Sequence, residues 1–214
     1  QIIHTESGVL DGKWQSVPDQ HMNYFATANA SGSISIYGLH SSESDANLNL
    51  SLMSSSEIEE SNGLALAIAW DDSSSSRMVS SYSGGTVALH TIDYRSDDNN
   101  ACNIHESMRW RAHTMFGCPA EVWTCCFASN KVYNSHPNVV MSGGDDCKMK
   151  VWDIRNNTVP FHTMSDFDAG VTTLSYHPKL EHIFAAGSYD ECLRIMDMRK
   201  LSEPLTKINV GGGV

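Results

Sequence analysis

The chain has 214 residues, is 41% hydrophobic and carries a formal net charge of −11. That excess of acid excludes a direct nucleic-acid platform, which needs a basic stripe against the phosphates, and it favours cationic partners instead. No apolar run reaches the ~18 residues of a membrane span, and no charged-then-apolar leader pattern opens the chain.

Taken in order, the sequence writes one unit four times. Each unit begins with an apolar strand that ends in an aromatic residue: Val9-Leu-Asp-Gly-Lys-Trp14, Leu66-Ala-Ile-Ala-Trp70, Val122-Trp-Thr-Cys-Cys-Phe127 and Val171-Thr-Thr-Leu-Ser-Tyr176. A second strand, a tight turn and an alternating third strand follow. They are written as Ala28-Asn-Ala-Ser-Gly-Ser-Ile-Ser-Ile-Tyr37, Ser81-Tyr-Ser-Gly-Gly-Thr-Val-Ala-Leu-His90, Gly143-Gly-Asp-Asp-Cys-Lys-Met-Lys-Val-Trp152 and Gly187-Ser-Tyr-Asp-Glu-Cys-Leu-Arg-Ile-Met196. Leu48, Leu50 and Leu52 mark a fourth strand in the first unit, and residues 205–210 mark one in the last. The last residues of the four hairpins, 37, 90, 152 and 196, are spaced by 53, 62 and 44. Only the final spacing matches the roughly 40–45 residues of a four-stranded propeller blade, so the earlier units must hold insertions. The polar runs 54–63, 71–76 and 97–103 supply them as solvated loops.

A hairpin alone cannot bury a ring as large as Trp152, so each unit needs a neighbour of its own kind. The fold expected is therefore all-β, a β-propeller of about four blades over residues 8–53, 64–108, 110–163 and 167–210, with Trp14 the core aromatic of the first. The start at Gln1 and the stop at Gly-Gly-Gly-Val214 read as cuts in a seven-bladed ring, a closed four-bladed ring being the alternative. His40 and His90 read as exposed or strand-end positions. His136-Pro137 and His177-Pro178 read as turn formers. The six cysteines include no Cys-x-x-Cys pair, which points to reduced thiols and a cytoplasmic setting.

The Trp152-Asp153 ending and the repeated turns resemble the WD40 repeat. In such blades a hydrogen-bonded tetrad links Asp, His, hydroxyl and indole; the resemblance places it here at Asp146, His113, Ser142 and Trp152, which makes His113 structural before it is catalytic. The fourth unit has Met196-Asp197 for Trp-Asp and Asp168-Ala-Gly170 where the histidine belongs, so no tetrad can form there and Tyr189 and Glu191 are released for other duty. Asp190 still braces its turn. Glu121 and Trp123 lie where the inner strand meets the binding loops, and a carboxylate beside a π-face can hold a cation.

A closer resemblance rests on Trp110-Arg-Ala-His, Ala120-Glu-Val-Trp, Ser142-Gly-Gly-Asp-Asp, Val151-Trp-Asp-Ile-Arg, Glu181-His-Ile-Phe-Ala-Ala-Gly-Ser-Tyr-Asp-Glu and the closing Gly-Gly-Gly-Val. These look like the WD-repeat diphthine methylesterase family of diphthamide biosynthesis. The resemblance implies a carboxylic ester hydrolase that acts without a cofactor on the methylated diphthine of elongation factor 2. No Gly-x-Ser-x-Gly elbow and no His-Glu-x-x-His is written, so neither a familiar serine esterase nor a zinc hydrolase is expected. Candidate catalytic residues are Asp145, Glu191 and His113; candidate substrate-binding residues are Glu121, Trp123 and Tyr189; no metal ligands are expected. The alternative reading is a non-catalytic protein-interaction scaffold.

Overall fold

The protein is described by a computed structural model covering residues 3–15, 23–41, 48–56, 63–94, 102–130, 132–156 and 159–212. Among these residues there are eighteen strands and no helix. The first blade is β1 (Val9–Trp14), β2 (Asn23–Asn29), β3 (Ile34–Ser41) and β4 (Leu48–Ser55). The second is β5 (Ala65–Trp70), β6 (Arg77–Tyr82), β7 (Thr86–Tyr94) and β8 (Cys102–Arg111). A short hairpin follows, of β9 (Thr114–Met115) and β10 (Cys118–Pro119). The third blade is β11 (Val122–Phe127), β12 (Val139–Gly144), β13 (Lys148–Asp153) and β14 (His162–Met164). The fourth is β15 (Val171–Tyr176), β16 (Ile183–Ser188), β17 (Cys192–Asp197) and β18 (Thr206–Asn209). Each blade is a sequential antiparallel meander, and the first strands β1, β5, β11 and β15 stand side by side in that order.

The alternation of each strand explains why the blades stack. In β13, Met149 and Val151 face the fourth blade, where they join Met141, Val171, Phe184 and Met196, whereas Trp152 faces the second, among Val79, Val87 and Trp110. A third cluster, with Ile34, Ile36, Ile68 and Met78, fills the seam between the first two blades. Three seams thus join the four described blades, the second and third burying both faces and the first and fourth one each, at roughly 1.5–3 kcal/mol for each large apolar side chain withdrawn from water. Trp110 meets Trp152 across a seam with ring centroids 5.9 Å apart. It belongs to β8 and so to the second blade, which runs past residue 108 to Arg111.

Four expectations are corrected. Trp14 is not a core aromatic but is 53% exposed, with the Phe25 ring centroid 5.0 Å from its own. Its counterpart Trp70 is buried because it faces the preceding blade, donating its indole N–H to the Lys13 carbonyl at 3.0 Å; no described blade stands on that side of Trp14. His90 is neither exposed nor at a strand end. It is fully buried in β7 and bonded to the Ser80 hydroxyl at 2.7 Å, repeating the Trp152–Ser142 contact of the third blade. The run 71–76 is the expected loop between β5 and β6, but its first residue is not solvated: Asp71 is buried, pairs with Arg77, and accepts the Ser129 hydroxyl at 3.1 Å from the next blade. Finally, Ser54 and Ser55 belong to β4, and Cys102 and Asn103 open β8; residues 57–62 and 97–101 of the expected loops lie outside the described residues. His177 caps its turn as expected, its Nδ1 accepting the amides of Lys179 and Leu180.

Burial, with the charge of Arg109, lowers the His90 imidazole to about 3, and burial holds His113 low as well. Both are therefore neutral when folded but take up protons when unfolded below their ordinary value of about 6.5. The His90 contribution to stability is expected to be intact above pH ~6.5 and to fall as the pH drops toward about 3, by about 1.4 kcal/mol per pH unit, with His113 acting in the same direction. Urea unfolding midpoints between about pH 7.5 and 5 measure this, and His90→Gln should flatten the slope.

Candidate functional site

The six predicted residues lie on one face of the arc, where the turns between second and third strands meet the connections entering the first strands. That face is built by a repeated device. In all four blades the first strand carries a register shift after its first residue, which leaves Leu10, Leu66, Trp123 and Thr172 as equivalent bulged residues. A bulge turns a side chain out of the ladder. Only in the third blade is that side chain aromatic, and Trp123 is half-buried at the rim of the concave groove formed by the four inner strands, about 450 Å³ in volume. Of the six residues, Trp123 alone lines this groove.

Asp145 meets Trp123 there. The Asp145 amide donates to the Glu121 carbonyl at 2.9 Å, fixing the turn to the start of β11. Its carboxylate accepts the Trp123 indole N–H at 3.4 Å. Among the described residues the indole bond to Oδ1 is the one side-chain hydrogen bond that this carboxylate accepts. Gly170 makes room for this group: a Cβ built on it would fall 3.0 Å from the Asp145 oxygen. Trp123 and Asp145 are therefore gathered at the seam between the third and fourth blades, with Glu121 tied to Asp145 through its carbonyl. A π-face and an oriented carboxylate at a half-open rim can hold a cation and take a proton from water.

Tyr189 and Glu191 stand on the equivalent turn of the fourth blade. The Tyr189 amide donates to the Gly170 carbonyl at 3.0 Å, the same bond that Asp145 makes to Glu121, so Tyr189 is the fourth-blade counterpart of Asp145. Its ring is 57% exposed. Glu191 is exposed and has φ 63. That left-handed backbone belongs to the turn rather than to a function, because Gly32 and Gly85 hold the same position with φ 85 and 79, and Cys147 with φ 58.

His113 is placed behind this surface. It is fully buried, its Nδ1 is 2.7 Å from Asp146 and its Nε2 is 2.8 Å from the Ser142 hydroxyl, while the Trp152 indole donates to the same hydroxyl at 2.9 Å. The chain of donors is complete if the imidazole is neutral: indole to hydroxyl, hydroxyl to Nε2, Nδ1–H to carboxylate. Burial pushes His113 down in line with this. Burial also pushes Asp146 up, but the His113 bond and the charges of Lys150 and Lys148 outweigh it and leave the carboxyl low. With both ring nitrogens engaged and no exposed edge, His113 orders the turn rather than touching a substrate.

The fourth blade replaces the tetrad with an ion pair that the sequence reading missed. Arg194 is fully buried, bonds Asp190 at 3.1 and 2.6 Å and the Asp166 carbonyl at 2.7 Å, and lies 4.3 Å over the Phe167 ring. Asp190 also accepts the amides of Cys192 and Asp168. Burial pushes its carboxyl up, yet these bonds bring it down to about 2. A signal existed: Asp190 and Arg194 repeat the spacing of Asp146 and Lys150, which pair at 3.5 Å. Cys147 is no nucleophile, since burial first and then the charges of Asp145, Asp146, Asp168 and Asp190 all raise its thiol. Among the described residues no three His, Cys, Asp or Glu side chains are grouped to hold a metal ion.

The family model of the WD domain, G-beta repeat, matches residues 109–153 and 158–197. Each match begins in or before the outer strand of one sheet and ends in the third strand of the next, so the sequence repeat is offset from the blade. The chain is 35% identical over 231 positions to the diphthine methyltransferase homolog of Dictyostelium discoideum, covering 100% of the chain and 55% of that protein. It is 32% identical over 215 positions to the diphthine methyltransferase of Homo sapiens, covering 97% and 44%. A chain in the crystal structure of the mitotic checkpoint complex superposes with a TM-score of 0.62 at 16% identity, over 89% of this chain and 50% of that one, a likeness of fold alone. The chain spans about half the length of the curated relatives it matches. Those relatives align along nearly all of it, and the WD repeat falls on the two blades that carry the site; the chain belongs to the diphthine methyltransferase family of WD40-repeat proteins.

Proposed function

We propose that this chain supplies the substrate-binding face of an enzyme of diphthamide biosynthesis, one that hydrolyses the methyl ester of methylated diphthine on elongation factor 2. Water adds to the ester carbonyl, the bond from that carbon to the methoxy oxygen breaks, and methanol leaves while diphthine keeps a carboxylate. The names of the relatives support the pathway; in this reading the acceptor is water. The observation that carries it is Asp145, a carboxylate oriented by the Trp123 indole at the groove rim.

A trimethylammonium is permanently charged and has no N–H to donate, so it is recognised by π-faces and nearby negative charge rather than by hydrogen bonds. Trp123 and Tyr189 offer the faces; Glu121 and Glu191 add the charge. Asp145 is the general base that takes the proton of the attacking water, and His113 positions its turn from below. The protein at its natural full length, incubated with elongation factor 2 bearing methylated diphthine, should release methanol. The mass of the modified peptide should fall by the replacement of one methyl by hydrogen. An unchanged mass with stable binding would leave the scaffold reading in its place.

A further inference from the structure

The hairpin between the second and third blades presents a ring that neither packing nor turn chemistry explains. β9 and β10 pair Met115 with Cys118 and turn through Phe116 and Gly117, both at positive φ, 52 and 83. This is a type I′ turn, whose first central position suits asparagine, aspartate or glycine because a larger side chain crowds the left-handed backbone. Here it holds phenylalanine, 99% exposed, and a Cβ on the neighbouring Gly117 would meet nothing within 4 Å.

The base of the hairpin is fixed. The amides of Ala112 and His113 donate to the Gly85 carbonyl at 2.8 and 3.1 Å, Ala120 donates back to His113 at 3.2 Å, and the His113 ring is locked in its tetrad. Directly after Ala120 the chain enters Glu121 and then Trp123. Phe116 is thus a rigid apolar tip standing on the candidate site's own wall. Glu121, Asp145, Asp168 and Glu191 lie on this side of the arc, with Arg111 and Lys148 beside the hairpin's foot, on a chain of net charge −11.

We propose that Phe116 is a docking residue that enters an apolar socket, rimmed by basic side chains, on the protein that carries the cationic modified residue. The proposal rests on the reading above that this face acts on a side chain of another protein. A pre-ordered aromatic at a protruding tip gives affinity without the loss of freedom that a mobile loop would suffer, and the net charge of −11 favours a partner whose socket has a basic rim.

The test is equilibrium binding of the full-length protein to elongation factor 2 bearing methylated diphthine. Phe116→Asn suits the turn better than the native residue and should melt no lower, yet bind at least about tenfold more weakly; Phe116→Tyr, which keeps the ring, should bind within about twofold of the native protein. Asparagine binding as tightly as phenylalanine overturns the proposal, as does an absence of binding by the native protein. Methyl loss is read separately. Ring-dependent binding without turnover would sink the hydrolase reading and leave the docking residue standing.

Discussion

Replacing Asp190 by alanine is expected to destabilise the protein by about 3–5 kcal/mol. Arg194 is fully buried, and among the described residues its charge is balanced by Asp190 alone, whose side chain is 4% exposed. Removing the carboxylate leaves a guanidinium away from water with one carbonyl and the Phe167 face as company. It also frees the amides of Cys192 and Asp168. Burying both charges carries its own desolvation penalty, so the pair is not worth that full amount. The double variant Asp190→Ala, Arg194→Met should therefore recover much of the loss, since a long apolar side chain fills the bed over Phe167. Urea unfolding of the two single variants and the double gives the coupling directly; a loss below about 1 kcal/mol for Asp190→Ala would show that the pair is solvated.

The same pair marks where the sequence stopped being legible. Strands announced themselves through alternation: the four apolar runs ending in Trp14, Trp70, Phe127 and Tyr176 are the four inner strands. The tetrad was legible through the resemblance to the WD40 repeat, which assigns positions to Asp146, His113, Ser142 and Trp152. Burial was not, because it depends on which blade stands on which side. Trp14 and Trp70 are written alike and differ only in having a neighbour. His90 read as an exposed or strand-end position, yet it replaces an indole by hydrogen-bonding to the same serine position. The bulge that turns Trp123 outward has no signature in a period-two pattern, because it consists of one residue too many in the ladder. The hairpin at Phe116 was invisible for the opposite reason: Phe-Gly is not the pair that a type I′ turn prefers.

Among the predicted carboxylates, structure separates Asp145 from Glu191. Asp145 is half-buried, tied by its amide to Glu121 and by its side chain to Trp123. Glu191 is exposed on a turn position that glycine fills elsewhere. A general base must be held in reach of the water it activates, so the ordered carboxylate is the stronger candidate. Asp145→Asn, which keeps shape and the bond from the indole, is expected to lower ester turnover by about 10²–10⁴-fold with little change in melting. Glu191→Gly relieves a left-handed residue and is expected to stabilise the protein by about 1 kcal/mol, while lowering turnover far less. Trp123→Leu should act mainly through KM, by about five- to tenfold, as a lost cation–π contact would. Measured together as methanol release and thermal unfolding, the three variants separate base, turn and cation bed. If Glu191→Gly loses as much turnover as Asp145→Asn, the base sits on the fourth blade; if neither variant changes it, the reacting ester is bound elsewhere and these carboxylates serve only to attract the cation.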